Sequence, residues 1–343
     1  MKLSYIVPVF NVEEFIRPCL ENILQQGLDD NCYEIIIIND GTQDKSMEVI
    51  ADIIKTHHNI IIIEQENQGL SLARNNGLQK ASGDYILFVD SDDLLIKNSV
   101  PQLLDKAISS KADLIVADFI KMDEKQITQY QNNPFNQPDS QTYVMNGKEL
   151  LLHELNPYYC YVWRTMYRRD FLNQNNLRFI PNICFEDVTF THQCYLKANL
   201  CVRIKRYLYI YRKGHASITS SFSLKKALDY STSVSEIWKM SNDENIDPQI
   251  KKKLRNDTFV HFSLLVYSLT SCATISRSEK MHILNYIKEL VPDITFKHGL
   301  KQRIVNFLYL KMPSTYLTLR IFYANYFQDI FWKIGDTLRN KKN

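Results

Sequence analysis

Glycine and proline are scarce in this chain, 9 and 10 of 343 residues. So low a supply of turn-forming residues argues against a linker-rich chain or a stacked-repeat solenoid, and it gives weight to each motif that does contain a glycine. The seven cysteines (19, 32, 160, 184, 194, 201, 272) form an odd set with no C-x-x-C pair. Neither a disulfide framework nor a zinc ribbon is therefore expected, and a reducing cytoplasm is the expected setting. The first apolar run breaks at Pro8 and Asn11, too soon for a signal-peptide core, and reads as a strand. Neither G-x-G-x-x-G nor G-x-x-x-x-G-K-[ST] follows any predicted strand, which disfavours NAD dehydrogenases and P-loop NTPases. Charge is also nearly balanced, at a formal +3. The excess lies in residues 301–343, where eight Lys/Arg face Asp329 and Asp336, so no chain-wide nucleic-acid surface is expected and nucleic acid is not an expected partner.

What is present is an ordinary globular composition, 45% apolar and 23% charged, on a chain long enough for one large domain with an appendage or for two domains. Strand-like runs at Leu3 to Val9, Glu34 to Asn39, Ile60 to Glu64, Tyr85 to Asp90 and Asp113 to Ala117 alternate with helices beginning near Asn11, Asp44, Gly69 and Ser99. Asn11 with Glu14 reads as a capping box. The run IIIIND is apolar on both faces, as a buried parallel strand requires. The pattern predicts a doubly wound α/β fold whose ligands lie off the carboxyl ends of the strands. Residues 121–146 read as a loop or irregular hairpin, and a further helix is expected from Glu186. Beyond a boundary placed at 220, residues 221–343 read as helical. Within them, the charge-free stretch 259–275 is at the lower edge of bilayer-spanning length and contains His261 and several Ser/Thr, so it reads as a buried helix in preference to a membrane span.

Four constellations carry candidate chemistry. FVDSDDLL places three acids after a strand; in an extended segment Asp90 and Asp92 share a face while Asp93 points away. Carboxylates so crowded invite a hard divalent cation, Mg²⁺ or Mn²⁺, carrying substrate phosphate, although a solvated loop with Asp92 or Asp93 capping the next helix is the plain alternative. In IIIINDGTQD, Asp40 can accept a hydrogen bond from an N–H of a bound base while Gly41 supplies a turn; an Asx turn with Asp44 capping a helix fits the same residues. Arg74, one and a half turns into the helix after Gly69, can point back to the strand ends toward a phosphate or the Asp40 carboxylate, or lie on the surface. Glu186 and Asp187 open a helix: Asp187 is a candidate general base, or the pair simply complements the helix dipole.

Taken in order, IVPVFNVEEF, IIIINDGTQDKS, NQGLSLARNNGL and GDYILFVDSDDLL resemble the family 2 glycosyltransferases with the GT-A fold, over roughly residues 1–220. The resemblance implies a GT-A domain, Rossmann-like, with a mostly parallel sheet and helices on both faces, followed by a C-terminal helical extension. It also implies that Pro8, Phe10 and Glu13 line a nucleoside pocket, that Asp40 reads uracil, that Arg74 lies near the base and diphosphate, and that Asp90 approaches the ribose. Asp92 would hold Mn²⁺ or Mg²⁺ on the diphosphate of a UDP-sugar, Asp187 would be the base of an inverting transfer, and Trp163 with Arg164 would stand on the side of a glycan or lipid-linked acceptor. Glu186 and His215 are secondary candidates, His215 as a further metal or diphosphate ligand. Asn39 stands where many members have Asp, and Phe10 where Tyr is usual; the Q-x-x-R-W motif of processive members is absent, which implies transfer of one sugar.

Two other readings compete. A D-x-D phosphatase would carry its acid pair after the first strand, trailed by Thr or Val, whereas Leu94 follows here and three strands come earlier. A sugar-nucleotide-binding subunit without turnover would use the same donor residues. The basic, aromatic tail 301–343 suits either an interfacial helix pair at the cytoplasmic face of an anionic membrane or a face packed on the protein.

Overall fold

A computed structural model describes residues 1–135, 137, 141–214, 222–292 and 307–323. The chain forms two compact units, Met1–Ala216 and Ser217–Asn343.

In the first unit, β1 (Leu3–Val9), β2 (Tyr33–Asn39), β3 (Ile60–Glu64) and β4 (Tyr85–Phe88) pair in parallel in the order β3-β2-β1-β4. β8 (Thr165–Arg168) lies antiparallel between β4 and β6 (Leu114–Met122), and β6 pairs in parallel with the long β9 (Cys201–Arg212). The short β5 (Leu94–Leu95) and β7 (Thr142–Met145) both add to β9 in antiparallel fashion. The sheet is therefore parallel where the acids at 40 and 90 leave it and mixed beyond β4.

All seven residues of β1 are buried, so helices cover both faces of the sheet. On one face Tyr5, Val7, Ile35, Ile37 and Leu87 join Ile16, Leu20 and Ile23 of α1 (Ile16–Leu24), Ile53 of α2 (Ala51–Thr56) and Leu103, Leu104 and Ala107 of α4 (Val100–Ser110) in one core. On the other lies α3 (Leu70–Lys80), drawn close by Gly77: a Cβ there would meet Ile6 Cγ2 at 2.5 Å and Ile38 Cδ1 at 3.0 Å. Pro8 fits inside β1 because the β1–β4 ladder ends at Ile6–Phe88, so on the side its nitrogen faces no partner strand remains to receive a hydrogen bond.

Three sequence expectations need correction. The helix expected near Asp44 starts only at Ala51, because Asp44 instead accepts from Thr42 Oγ1 and Ser46 Oγ in the loop before it. Asn11 does not cap a helix: it takes a left-handed φ of 54°, and α1 starts five residues later at Ile16. Its side chain instead bonds the 42–43 loop, an alternative that short amides offer the backbone. Nor is 121–146 simply a loop: β6 runs on to Met122, α5 (Glu124–Asn132) follows with a capping box of Asp123 and Gln126, and β7 adds a strand. Ile127 and Tyr130 of α5 pack on Leu94, Ile96 and Ile210, and that burial overrides the segment's polar composition.

The first unit also holds α6 (Gly147–His153), α7 (Arg169–Gln174) and α8 (Glu186–Lys197); the second holds α9 (Leu224–Met240), α10 (Pro248–Ser271), α11 (Arg277–Leu290) and helical residues 307–311 and 313–323. The stretch at 259–275 lies mainly in α10, where Phe262, Leu265, Val266 and Leu269 are buried and His261 bonds Tyr230. Among the described residues no helix is long and apolar enough to cross a membrane. None of the seven cysteines is in a disulfide.

Candidate active site

The loops after β1 and β2 are sewn together. Asn11 N–H donates to Thr42 Oγ1 at 2.8 Å, Val12 N–H to Ser46 Oγ at 2.9 Å and Glu13 N–H to Asp44 Oδ2 at 2.9 Å, while Glu13 Oε2 accepts from Lys45 N–H at 2.9 Å. Glu13 is exposed and Phe10 half-buried at this rim; Pro8 is buried behind them. Gly41, at φ 67°, makes the expected turn, and a Cβ there would meet Asn67 N at 2.9 Å.

Asp40 is buried and occupied. Oδ1 accepts from Gln65 Nε2 at 2.7 Å and Gln68 N–H at 2.8 Å, and Oδ2 from Gly69 N–H at 2.9 Å. Three of its roughly four lone-pair sites therefore anchor the entry to α3, and one is left over for a ligand.

The decisive contact is made by Arg74. From α3 its guanidinium reaches across the strand ends, donating to Asp90 Oδ1 at 2.6 Å and to Glu186 Oε1, with Phe179 and Phe88 beneath it at 5.5 and 6.0 Å. Only 3% of its side chain is exposed. The Asp40 carboxylate is not among these partners, and Arg74 is no surface residue. Positions 74, 90 and 186, separated by up to 112 residues in the chain, thus meet at one point. Asp187 follows Glu186 in the first turn of α8 (Glu186–Lys197), whose preceding residue, Phe185, sits in the left-handed region at φ 63°, a strained choice for a bulky side chain. Burial raises the Asp187 pKa to about 8; the neighbouring charges of Glu186 and Asp90 push the same way and Arg74 opposes them. Burial likewise raises Glu186 and Asp90, with Arg74 opposing in both cases.

Residues 90–93 form a turn, closed by Asp93 N–H donating to the Asp90 carbonyl at 3.1 Å, where an extended segment was expected, and this turn separates Asp93 from Asp92. Asp93 is buried, with Oδ1 accepting from Arg212 N–H at 2.7 Å, whereas Asp92 is half-buried at the strand end. Burial and the charges of Asp92 and Asp90 hold Asp93 well above the usual carboxylate range. β5 makes this possible by pairing Leu94 and Leu95 with Ile210 and Tyr209, which lays the end of β9 against the acidic loop. Two residues there had no sequence signal. Tyr209 Oη accepts from Asp90 N–H at 3.0 Å, and Arg212 donates from Nε to the Asp92 carbonyl at 2.7 Å, pairs with Glu124 and lies over Phe15 at 5.0 Å.

The expectation that Trp163 and Arg164 face an acceptor is not met. Trp163 is 2% exposed and stacks on Tyr209 at 4.1 Å and on Tyr161 at 4.6 Å; Arg164 is buried, donating to the Ala117 carbonyl at 3.1 Å. Packing among flat rings claims the indole. Trp163 buttresses Tyr209, and through it the Asp90 backbone. His215 lies outside the described residues.

The carboxylates of Asp90 and Asp92 are hard oxygen donors of the kind that Mg²⁺ or Mn²⁺ takes, while Asp93 is held by Arg212 N–H. Their charges even reach Cys19, whose thiol is pushed up by burial first and then by Asp93, Asp92 and Asp90.

A model described as "Glycosyl transferase family 2" matches residues 4–175. The uncharacterized glycosyltransferase EpsJ of Bacillus subtilis (strain 168) is 35% identical over 233 residues, covering 66% of this chain and 65% of EpsJ. Glycosyltransferase GlyA of Streptococcus pneumoniae is 32% identical over 228 residues, covering 65% of this chain and 32% of GlyA. The chain thus spans less than two thirds of either relative. A crystal structure of residues 1–349 of S. aureus TarS, in complex with UDP-GlcNAc, superimposes with a TM-score of 0.74 and 21% identity, covering 95% of this chain and 92% of that one. Matched over half its length and similar in fold to TarS, the chain belongs to glycosyl transferase family 2.

Proposed function

We propose that the protein moves one sugar from a UDP-sugar to a hydroxyl of a glycan or lipid-linked glycan, with inversion at the anomeric carbon, in the assembly of a surface polysaccharide. The observation that carries this reading is the Arg74 bridge, because it ties Asp90, at the donor end of the sheet, to Glu186 and so fixes Asp187 beside the acids that would face the diphosphate. The UDP-GlcNAc held by TarS supports a UDP donor.

Donor binding falls to the rim of the first two loops, with Pro8, Phe10 and Glu13 beside the nucleoside, the remaining Asp40 lone pair toward the base, Asp90 toward the ribose and Asp92 toward a metal on the diphosphate. A divalent cation there would act as a Lewis acid against the charge growing on the departing UDP. Asp187 takes the proton of the acceptor hydroxyl as that oxygen attacks the anomeric carbon opposite the leaving group, so a single displacement inverts the centre. Its raised pKa suits the task, since a base poised near the operating pH has both the ionised form and the affinity for a proton. Arg74 holds Asp90 and Glu186 in register and keeps three neighbouring carboxylates from repelling one another.

A peripheral contact of 301–343 with the cytoplasmic face of the membrane belongs to the same proposal, and it would bring a lipid-linked acceptor within reach. Exposed Phe307, Met312, Leu319 and Phe322 beside Lys311 support it. A thermal-shift screen of UDP-, GDP- and TDP-sugars with and without Mn²⁺ tests the donor reading. Stabilisation by UDP-sugars that grows with Mn²⁺ is expected; a response to GDP- or TDP-sugars alone would remove UDP as the donor.

A further inference from the structure

One group of aromatic side chains in the first unit runs outward from the core, with Trp163 and Tyr209 inside it and Phe119, Tyr161 and Tyr211 packed against it. Tyr159 and Tyr161 lie in the irregular segment that leads into a short 3-10 helix, Val162–Arg164, and ring contacts join them to Trp163 of that helix. Tyr159 stacks on Tyr161 at 5.9 Å and 29°, Tyr161 on Trp163 at 4.6 Å and 11°, and Tyr161 on Tyr211 at 5.9 Å and 15°. Phe119 braces all three from the side, edge-on, at 5.1 to 5.4 Å. Lys121 Nζ lies 5.2 Å from the Tyr159 ring and 5.4 Å from that of Tyr211.

The ladder has a direction. Its inner end is buried: Trp163 rests on Tyr209, whose hydroxyl holds the Asp90 backbone. Tyr161 comes next, half-buried and close enough to Asp187 for that charge to bear on its hydroxyl. Tyr159 and Tyr211 are half-buried further along, and Tyr158 is 47% exposed. Half-exposed flat rings leading away from a general base offer a hydrated surface that an apolar, flat ligand face would cover. A pyranose has such a face in its axial C–H bonds; a ring-free polyol-phosphate chain has none.

We propose that the Tyr159–Tyr161–Tyr211 ladder is the acceptor subsite, and that it selects an acceptor ending in a pyranose ring over a bare polyol phosphate, with Lys121 donating to ring hydroxyls. This rests on the transferase reading above but adds the class of acceptor and the residues that select it.

The test uses the full chain saturated with UDP and Mn²⁺, with cellotetraose, maltotetraose, laminaritetraose and chitotetraose as ring-bearing probes and a ribitol-phosphate octamer as the ring-free probe. Affinity is measured by saturation-transfer NMR, and UDP affinity is followed in the same samples as the control for folding. At least one tetrasaccharide binds, with saturation strongest on its C–H face, and Tyr159→Ala and Lys121→Met each weaken it about five- to tenfold, the size of one lost aromatic contact, while UDP affinity holds. Tyr161→Phe, which keeps the stack, retains binding. Binding of the phosphate octamer alone, of no saccharide at all, or saccharide binding indifferent to Tyr159→Ala would overturn the proposal. Loss of UDP binding in the unmodified chain would instead strike the donor reading, and the saccharide arm would still decide this one.

Discussion

Replacing Arg74 with Met keeps the length and packing of the side chain but removes the charge between Asp90 and Glu186. The exposures are 3% for Arg74, 6% for Glu186 and 25% for Asp90, so water cannot take the place of the guanidinium for at least one of the two acids. Breaking a buried pair while leaving its partner charged costs about 3–5 kcal/mol. At roughly 2–4 °C per kcal/mol for a unit of this size, the midpoint of thermal unfolding should fall by about 6–20 °C at pH 7. The pH dependence carries the sign. Without Arg74, both carboxyls bind protons more tightly in the folded than in the unfolded chain, so the deficit is full where they would be ionised and shrinks as pH falls toward about 4. Arg74→Lys, which can reach one acid well but not both in a fork, should fall between the two. Differential scanning fluorimetry from pH 4.5 to 8 measures all three proteins. A Met variant within about 2 °C of the parent at pH 7, yet impaired in UDP-sugar binding, would mean that Arg74 is a ligand contact and not a strut, and the reasoning would fail.

Further outcomes follow from the same contacts. Because the folded pKa of Asp187 is raised, the folded state binds its proton more tightly than the unfolded state does and stability falls as pH rises from about 4 toward 8; Asp187→Asn should therefore match the parent near pH 4.5 and melt several degrees higher at pH 8.5. The kcat/KM of the parent should climb with pH through the region of 8 as the base ionises, and a flat profile between pH 6 and 9 would count against Asp187. Gly77→Ala forces a methyl against Ile6 at 2.5 Å and should cost about 1–3 kcal/mol in a chemical melt, with catalysis lowered through the displaced α3. Asp40→Ala strands the Gln68 and Gly69 N–H groups and should cost a similar 1–3 kcal/mol, roughly, besides weakening UDP; weakening of UDP with no change in the melt would mean that the anchor role is mistaken.

The parallel half of the sheet was legible because its signals are local. The bounds of β1 and β3 and the starts of α3 and α4 follow from apolar runs, Gly69 and Ser99. The separation of Asp92 from Asp93 was expected from strand alternation but comes from a turn at 90–93. What the sequence could not reveal depends on partners far away in the chain. Asn11 reads as a helix cap until the 42–46 loop arrives to bond it, and Trp163, placed on the acceptor side by resemblance, is covered by Tyr209 and Phe119. Arg212 and Tyr209 sit at the site because β9 is held by β6 and by the two-residue β5, which pairs with it across more than 110 positions. The Arg74 side chain carried the right type and place but the wrong partner: the choice between Asp40 and the Asp90–Glu186 pair rests on how α8 docks.

The central claim, that Asp92 and Asp187 serve one anomeric carbon, is tested most directly by measuring UDP-sugar affinity and single-turnover transfer side by side for Asp187→Asn and Asp92→Ala. Asp187→Asn should hold the donor with unchanged affinity in Mn²⁺ while transfer drops about 10²- to 10⁴-fold, and Asp92→Ala should lose both. Transfer by Asp187→Asn within tenfold of the parent, or donor affinity in Asp92→Ala that equals the parent's with Mn²⁺ present, would contradict it.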